Sequence, residues 1–440
     1  PQRRELFEGL RRDLLDPELR RGILLLGPRQ VGKSTLLHQI ADSLLEEGWP
    51  PGNLTHFNFD DPRVRGLGPD VGMVEEETPS SIDPNQSRVL LLDEVHLARE
   101  WASWFKDAID RDRRRPRSML RVLATSSAAS LLHRGSVESG QGRWNDVQIF
   151  GLSFAEHLRF LALPKETEPQ VLRRAPEELE RYLAKGGFPE HVHLAPSEEL
   201  RARLREDIAE KAIRRDLASL AGEGADRLDL ERLKRLFVYM AQDSGSILNC
   251  AERARDLDAR PTTISGWLQL LVDACLLHRI EPYAPPPSKG GGLPKASSRL
   301  ATKPKIYVSD HGLIPAFTLS AFPMAEPVVR ARVTEAVVLR HLLPLVLSRE
   351  EIFYFRRRDG LEIDFVFWRR KELHAIEVTS STELDGKKAD RFQAAVDAIS
   401  ADRGTVIYRG ATEGRSGKLR LLPLHLFLLN PATLVEDAVR

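Results

Sequence analysis

At 440 residues the chain has the length for about three domains, each able to enclose a core of its own. Its 65 Lys+Arg against 64 Asp+Glu leave a formal charge of +1, which excludes bulk attraction to nucleic acid or to a membrane surface, so local patches have to carry any such argument. The two cysteines, Cys250 and Cys275, exclude a disulfide framework and point to reduced core residues in a cytoplasmic protein; the apolar stretch 421–429, broken by Pro423 and His425, falls short of the ~20 residues that cross a bilayer.

The first element that carries chemistry is an apolar run at 23–26 followed by Gly27-Pro28-Arg29-Gln30-Val31-Gly32-Lys33-Ser34 and then Thr35-Leu36-Leu37. It reads as a buried strand, a glycine-rich loop and a helix, with the G-x-x-x-x-G-K-[ST] spacing that phosphate binding needs. Loop N–H groups would curl round a β-phosphate, Lys33 would reach the β/γ oxygens, and the Ser34 hydroxyl would ligate Mg²⁺ at the positive end of the helix. Further apolar runs at 54–59, 89–92, 120–125 and 147–150 alternate with helical patterns. That alternation predicts a parallel sheet covered on both faces, an α/β domain over residues 1–153.

The run 89–92 ends in Asp93-Glu94, about sixty residues beyond the loop. Carboxylates at the C-terminal end of a buried strand beside a phosphate loop suit a Mg²⁺ shell, for Asp93, and the orientation or deprotonation of an attacking water, for Glu94. An acidic pair that merely ends a strand is the plainer reading, and the complete loop upstream argues against it. The next strand tip, Thr125-Ser126-Ser127, offers hydroxyls that would sense the γ-phosphate or the water, although Ser and Thr are also ordinary turn residues. Gly140-Gln141-Gly142-Arg143 precedes the fifth run, at the far side of the sheet from the loop. Arg143 would therefore reach only a neighbouring subunit's nucleotide, as an arginine finger in trans, or else be a surface arginine.

With Asp93-Glu94-Val95-His96, Trp101 and Trp104 after it, Gly142-Arg143, and Gly151-Leu152-Ser153-Phe154-Ala155-Glu156, the chain resembles a family of prokaryotic ATPases of the AAA+ superfamily over essentially its whole length. The resemblance implies a P-loop AAA+ domain followed by a helical lid, a winged helix and a nuclease-like C-terminal domain, with ATP and Mg²⁺ as cofactors. Residues 154–220 are helical by pattern, broken at Gly186-Gly187-Phe188-Pro189, and the resemblance makes residues 154–225 the lid.

Residues 250–257 and 262–276 form two apolar-periodic segments joined by Asp258-Ala259-Arg260-Pro261 and followed by a strand-like run at 277–282. This reads as a winged helix-turn-helix over 226–304. Its second helix would present Thr262, Thr263, Ser265 and Gln269 outward beside Arg260, which suits a major groove; winged helices also serve as protein–protein modules. Residues 284–305 hold Lys289, Lys295, Arg299, Lys303 and Lys305 with no acid, among Gly, Pro and Ser. Such a segment is a flexible cationic loop for a phosphate backbone, or a solubilising linker.

In residues 305–440 a helix carrying Glu335 precedes strands at 352–355, 363–368 with Asp364, and 374–379 with Glu377, then a helix at 389–399 and a strand at 405–408. That order is the core of the PD-(D/E)XK nucleases, a restriction-endonuclease-like fold whose carboxylates converge on Mg²⁺ with a lysine near the water. Glu335, Asp364 and Glu377 fill the acidic positions of a possible second metal site, while Thr379 stands where the lysine belongs and Lys387 or Lys388 is the candidate to replace it. The domain is expected to keep the fold, with metal or nucleic-acid contact, and not to cut. The sequence as a whole reads as a homo-oligomeric ring or spiral that couples ATP hydrolysis, by Lys33, Ser34, Asp93 and Glu94, to remodelling of DNA or translocation along it. The alternatives are a slow nucleotide-controlled switch that binds a protein partner and an ATP-gated DNA nuclease.

Overall fold

The computed structural model describes residues 2–65, 71–72, 74, 87–115, 117, 119–127, 142–162, 173–217, 228–285, 303–346 and 351–435. They fall into two compact units, one of Pro1–Phe150, Lys211–Asp229 and Asp273–Cys275, the other of Gly151–Glu210, Leu230–Val272 and Leu276–Arg440.

In the first unit α1 (Leu6–Leu15), β1 (Gly22–Leu26), α2 (Lys33–Glu46), β2 (Leu54–Asn58), β3 (Arg88–Asp93), α3 (Trp101–Arg113), β4 (Leu120–Ser126) and β5 (Trp144–Gln148) build a five-stranded sheet in the order β2-β3-β4-β1-β5. Every pairing in it is parallel. β1 is buried at all five positions and β3 and β4 at all but their first, because helices cover both faces and leave no solvent side to alternate toward. β5 is half-buried and starts three residues before the apolar run that signalled it. It is an edge strand with one neighbour, so hydrogen bonding to β1 sets its bounds more than burial does. Leu24, Phe57, Leu90, Leu92, Phe105 and Val122 are among the residues of the core on one face.

The second unit opens with α4 (Phe154–Leu161), α5 (Ala175–Lys185) and α6 (Leu230–Gln242). Then come β6 (Ser246–Ile247), α7 (Cys250–Asp256), α8 (Pro261–Asp273), β7 (Leu277–Pro282), β8 (Lys305–Val308) and α9 (Pro327–Leu342). β9 (Ile352–Arg356), β10 (Glu362–Arg369), β11 (Glu372–Thr379), α10 (Gly386–Ala398), β12 (Arg403–Tyr408), β13 (Gly414–Ser416), β14 (Leu419–Pro423) and α11 (Leu424–Leu429) complete it. One nine-stranded sheet runs through it in the order β13-β14-β12-β11-β10-β9-β7-β8-β6. β9, β10 and β11 are antiparallel neighbours, and β12 joins β11 in parallel after the crossover helix α10.

β7 has two partners along its length. Leu277 to Ile280 pair with β8, while Glu281 and Pro282 pair with β9. The sheet therefore passes without a break through position 305, where the sequence suggested the start of a separate domain. Lys305 itself, read with the cationic loop before it, is the first residue of β8 and is buried. The alternation Lys305, Tyr307 along that short strand places both on one face.

Candidate functional site

The loop between β1 and α2 is shaped by its two glycines. A Cβ on Gly27 would lie 2.3 Å from the Ile149 carbonyl oxygen, so only glycine lets β1 leave the sheet at that point. Gly32 adopts φ +95°, with open space where a side chain would be, and hands the chain to α2. Ser34 and Thr35 are exposed on the first turn of that helix, whose leading N–H groups have no intrahelical partner. Lys33 is buried, and its Nζ donates to the carbonyls of Gly27 and Pro28 at 3.0 Å each. Gln30 is exposed at the loop tip with φ 62°, Val31 is buried beneath it, and Arg29 is 3.7 Å from Asp60 at the exit of β2.

Parallel pairing brings the ends of β3 and β4 beside this loop. One hydroxyl joins them: Thr125 Oγ1 donates to Asp93 Oδ1 at 2.5 Å and accepts from the Glu94 N–H at 3.0 Å. Ser127 N–H donates to Glu94 Oε2 at 2.8 Å, and Ser126 is buried next to it. Glu94 stands in the left-handed backbone region, φ 50°, a conformation that costs about 1–3 kcal/mol for a non-glycine residue and is held here by those bonds. Its carboxylate lies 3.5 Å from Lys33 Nζ and 3.3 Å from His96 Nδ1. Burial alone would raise the Glu94 pKa, but Lys33, His96, Arg29 and the Ser127 N–H outweigh it and bring the group down to about 2. His96 belongs to the Asp93-Glu94-Val95-His96 box but had no role assigned to it from the sequence; its fully buried side chain is the second cationic partner of Glu94 when protonated.

Tested against a nucleotide with its Mg²⁺, these residues fit. The first turn of α2 offers backbone donors, Gly32 leaves open space where a side chain would be, Ser34 is exposed with its hydroxyl available to a cation, and Asp93 is fixed by Thr125 at the end of β3.

Arg143 lies at the other end of the sheet. Its carbonyl accepts from Gly22 N–H at 2.9 Å at the start of β1, a strand of five residues, so roughly 16 Å of strand separates it from the loop. Its guanidinium pairs with Asp110 of α3 at 3.2 Å. Gly140 and Gln141 lie outside the described residues.

In the second unit α7 and α8 are joined by the turn at 257–260, and β7 and β8 form an antiparallel pair behind them. Arg260, Thr262, Ser265 and Gln269 are exposed and Thr263 is half-buried, while Ile264, Trp267 and Leu268 are buried on the opposite face of α8. Lys303 is exposed; Lys289, Lys295 and Arg299 lie outside the described residues.

Glu335, Asp364 and Glu377 come together. They line a cavity of about 760 Å³ with Lys305, Glu362, Lys387, Lys388 and Arg391. Lys388 Nζ is 3.4 Å from Glu377 Oε1. Thr379 is buried and accepts from Ser381 N–H at 3.3 Å, with no part in the cluster. The cation at the centre is Lys305, whose Nζ is 3.3 Å from Glu335 Oε1, 3.1 Å from Glu362 Oε1 and 3.2 Å from Asp364 Oδ1. Asp364 Oδ2 also accepts from Val378 N–H at 2.9 Å, and Tyr307 donates its hydroxyl to Glu335. Burial and the neighbouring Asp364 raise Glu335 to about 7 and push Glu377 well above the usual carboxylate range. Burial alone would lower Lys305, but Tyr307, Asp364, Glu335 and Glu362 hold it well above its ordinary value. The sequence pattern missed Lys305 and Glu362. The alternations Lys305-x-Tyr307 and Glu362-x-Asp364 were the available signal, since each pair shares a strand face.

Residues 19–158 match a family model described as an AAA domain, and residues 176–322 and 330–427 match two models described as domains of unknown function. The second match runs through position 305, as the sheet does. An uncharacterised protein of Haemophilus influenzae is 27% identical over 301 residues, 66% of this chain and 67% of that protein. One of Mycobacterium tuberculosis is 25% identical over 366 residues, 82% of this chain and 70% of its own length. Among solved structures, the Aeropyrum pernix ORC1 protein in complex with DNA shares 14% identity at a TM-score of 0.28, over 74% of this chain and 91% of that one.

Proposed function

We propose that the AAA+ ATPase domain at the N-terminus of this chain hydrolyses ATP within a homo-oligomer and that the remainder of the chain applies the resulting movement to DNA. The observation that carries the hydrolytic part is the joint placement of Lys33, Asp93, Glu94 and Thr125 around one phosphate loop. Ser34 and Asp93 would hold Mg²⁺, which when bound neutralises charge on the β- and γ-phosphates. Lys33 exchanges its loop carbonyls for phosphate oxygens. That exchange takes its charge away from Glu94 and lets the buried carboxylate's affinity for a proton rise, so that the group, fixed by Ser127 N–H, orients the attacking water and accepts its proton. Thr125 keeps both acids in register as charge develops.

The DNA part rests on α8, which presents Arg260, Thr262, Ser265 and Gln269 to solvent, and on the run of cations from Lys289 to Lys303. The C-terminal cavity belongs to binding and not to cutting in this reading. A protein-binding switch is the second reading, favoured by the direct pairing of Lys33 with Glu94, which keeps the hydrolytic groups engaged with each other until nucleotide arrives.

The test is ATP turnover with no nucleic acid, single-stranded DNA, duplex and a four-way junction, with Glu94→Gln as control. Severalfold stimulation by one form, absent in the control, supports the DNA motor and identifies its substrate. A slow rate, equal in all four, overturns it in favour of the switch.

A further inference from the structure

The cavity of the second unit has the donor set of a divalent-metal site and the wrong occupant. Glu335 comes from α9, Glu362 and Asp364 from one face of β10, and Glu377 from β11. Such a convergence of carboxylates is unstable without a positive charge among them. A magnesium or manganese ion would supply it at ~2.0–2.1 Å from each oxygen. Here Lys305 Nζ supplies it instead, at 3.1 to 3.3 Å from three of the carboxylates, hydrogen-bonded to Glu335 and Asp364 and ion-paired with Glu362.

Three further observations fix the lysine in that place. Its side chain is 4% exposed, so it reaches no water that could compensate for leaving. It is the first residue of β8, held by pairing to Ile247 on one side and Ile280 on the other, and so is part of the sheet and not of the segment before it. Its ammonium also lies 5.6 Å from the centre of the Tyr354 ring, where a cation is attracted and a hydrated metal gains nothing comparable.

We infer that Lys305 is the resident cation of this cavity, standing in the place of a metal ion, so that Glu335, Asp364 and Glu377 take no divalent cation while it is there. The ammonium has three donors for three carboxylates and is thereby saturated. A divalent ion entering beside it would meet a fixed positive charge within a few ångströms, a repulsion that grows as the dielectric falls. The site is thus an electrostatic clasp between β8, β10 and α9, and the other cations that line the cavity are Arg356, Lys387, Lys388, which pairs with Glu377, and Arg391. Hydrolysis at the phosphate loop plays no part in this, so the two readings stand or fall separately.

The experiment titrates Mn²⁺ into the nucleotide-free full chain, following the loss of its electron paramagnetic resonance signal on binding, for wild type, Lys305→Gln, Lys305→Gln/Asp364→Asn and Asp364→Asn alone. Lys305→Gln keeps a hydrogen-bonding group in the cluster. The expected result is a new saturable site in Lys305→Gln, more than about tenfold tighter than anything Asp364→Asn removes from wild type, and its loss in the double variant. A site in wild type that Asp364→Asn abolishes overturns the inference and does so whether or not the lysine variant folds. Folded Lys305→Gln protein that gains no site overturns it as well, because the carboxylates would then not form a cation site at all.

Discussion

Thr125 Oγ1 shows how much one atom decides. By donating to Asp93 and accepting from the Glu94 backbone it fixes the distance between the two acids and pays part of the strain of the left-handed Glu94. Glu335 makes the opposite case, a carboxyl whose surroundings favour its proton. With a folded value of about 7 against 4.5 when unfolded, the native state binds the extra proton between these values. Its contribution to stability is therefore present below about pH 4.5 and is lost as pH rises through about 7. Thermal unfolding of wild type should fall by about 1–3 kcal/mol across that window relative to Glu335→Gln, in which this part of the slope disappears. Equal slopes in the two proteins would show that burial and Asp364 do not outweigh Lys305 and Tyr307 at Glu335. At this scale the sequence disclosed the loop, both acids and the hydroxyl strand tip, since each is tied to a local pattern. It could not disclose Lys305 among Glu335, Glu362 and Asp364, because the contact spans 30 to 59 positions and no local period encodes it.

Elements were legible where burial is uniform. β1, β3 and β4 follow their apolar runs, whereas α10, expected from 389, begins at Gly386 behind an Asp385 whose side chain accepts from Lys387 N–H. Edge strands were not: β5 starts early and β13 gave no signal, because pairing with a neighbour substitutes for burial there. Among the described residues, α4 has the most complete start of any helix. Ser153 Oγ accepts from Glu156 N–H at 3.0 Å and Glu156 Oε2 accepts from Ser153 N–H at 2.9 Å, a reciprocal capping box. Ser153→Ala should weaken the first turn by about 1 kcal/mol, read as about fivefold faster hydrogen exchange at the Glu156 amide with α10 unchanged. Unchanged exchange at Glu156 would mean that packing of Phe154, which is wholly buried, fixes the turn without the cap.

At the scale of the whole molecule, the question is what a single copy lacks. Arg143 is remote from its own loop by the length of β1 and is tied to Asp110, so under the proposed homo-oligomer its part in hydrolysis would be played in a second copy. Arg143→Ala should keep ATP binding and lose turnover, and mixing it with Glu94→Gln protein should restore part of the rate, since an intact arginine then meets an intact glutamate across the boundary. Each variant inactive and the mixture equally inactive, with both proteins folded, would confine Arg143 to its pairing with Asp110.

The division into parts was read from composition, and composition changes at the Gly/Pro/Ser/Lys stretch before position 305. Strand pairing ignores that change. Because β7 bonds to β8 along its first residues and to β9 along its last, the hairpin and the C-terminal sheet share a strand. A break in the chain anywhere between 283 and 304 would part β7 from both of its neighbours at once, while Lys305 would stay on the same piece as Glu335, Glu362 and Asp364. The lysine and its acids are thus a unit of the C-terminal part, and β7 is the strand that the preceding part lends to it.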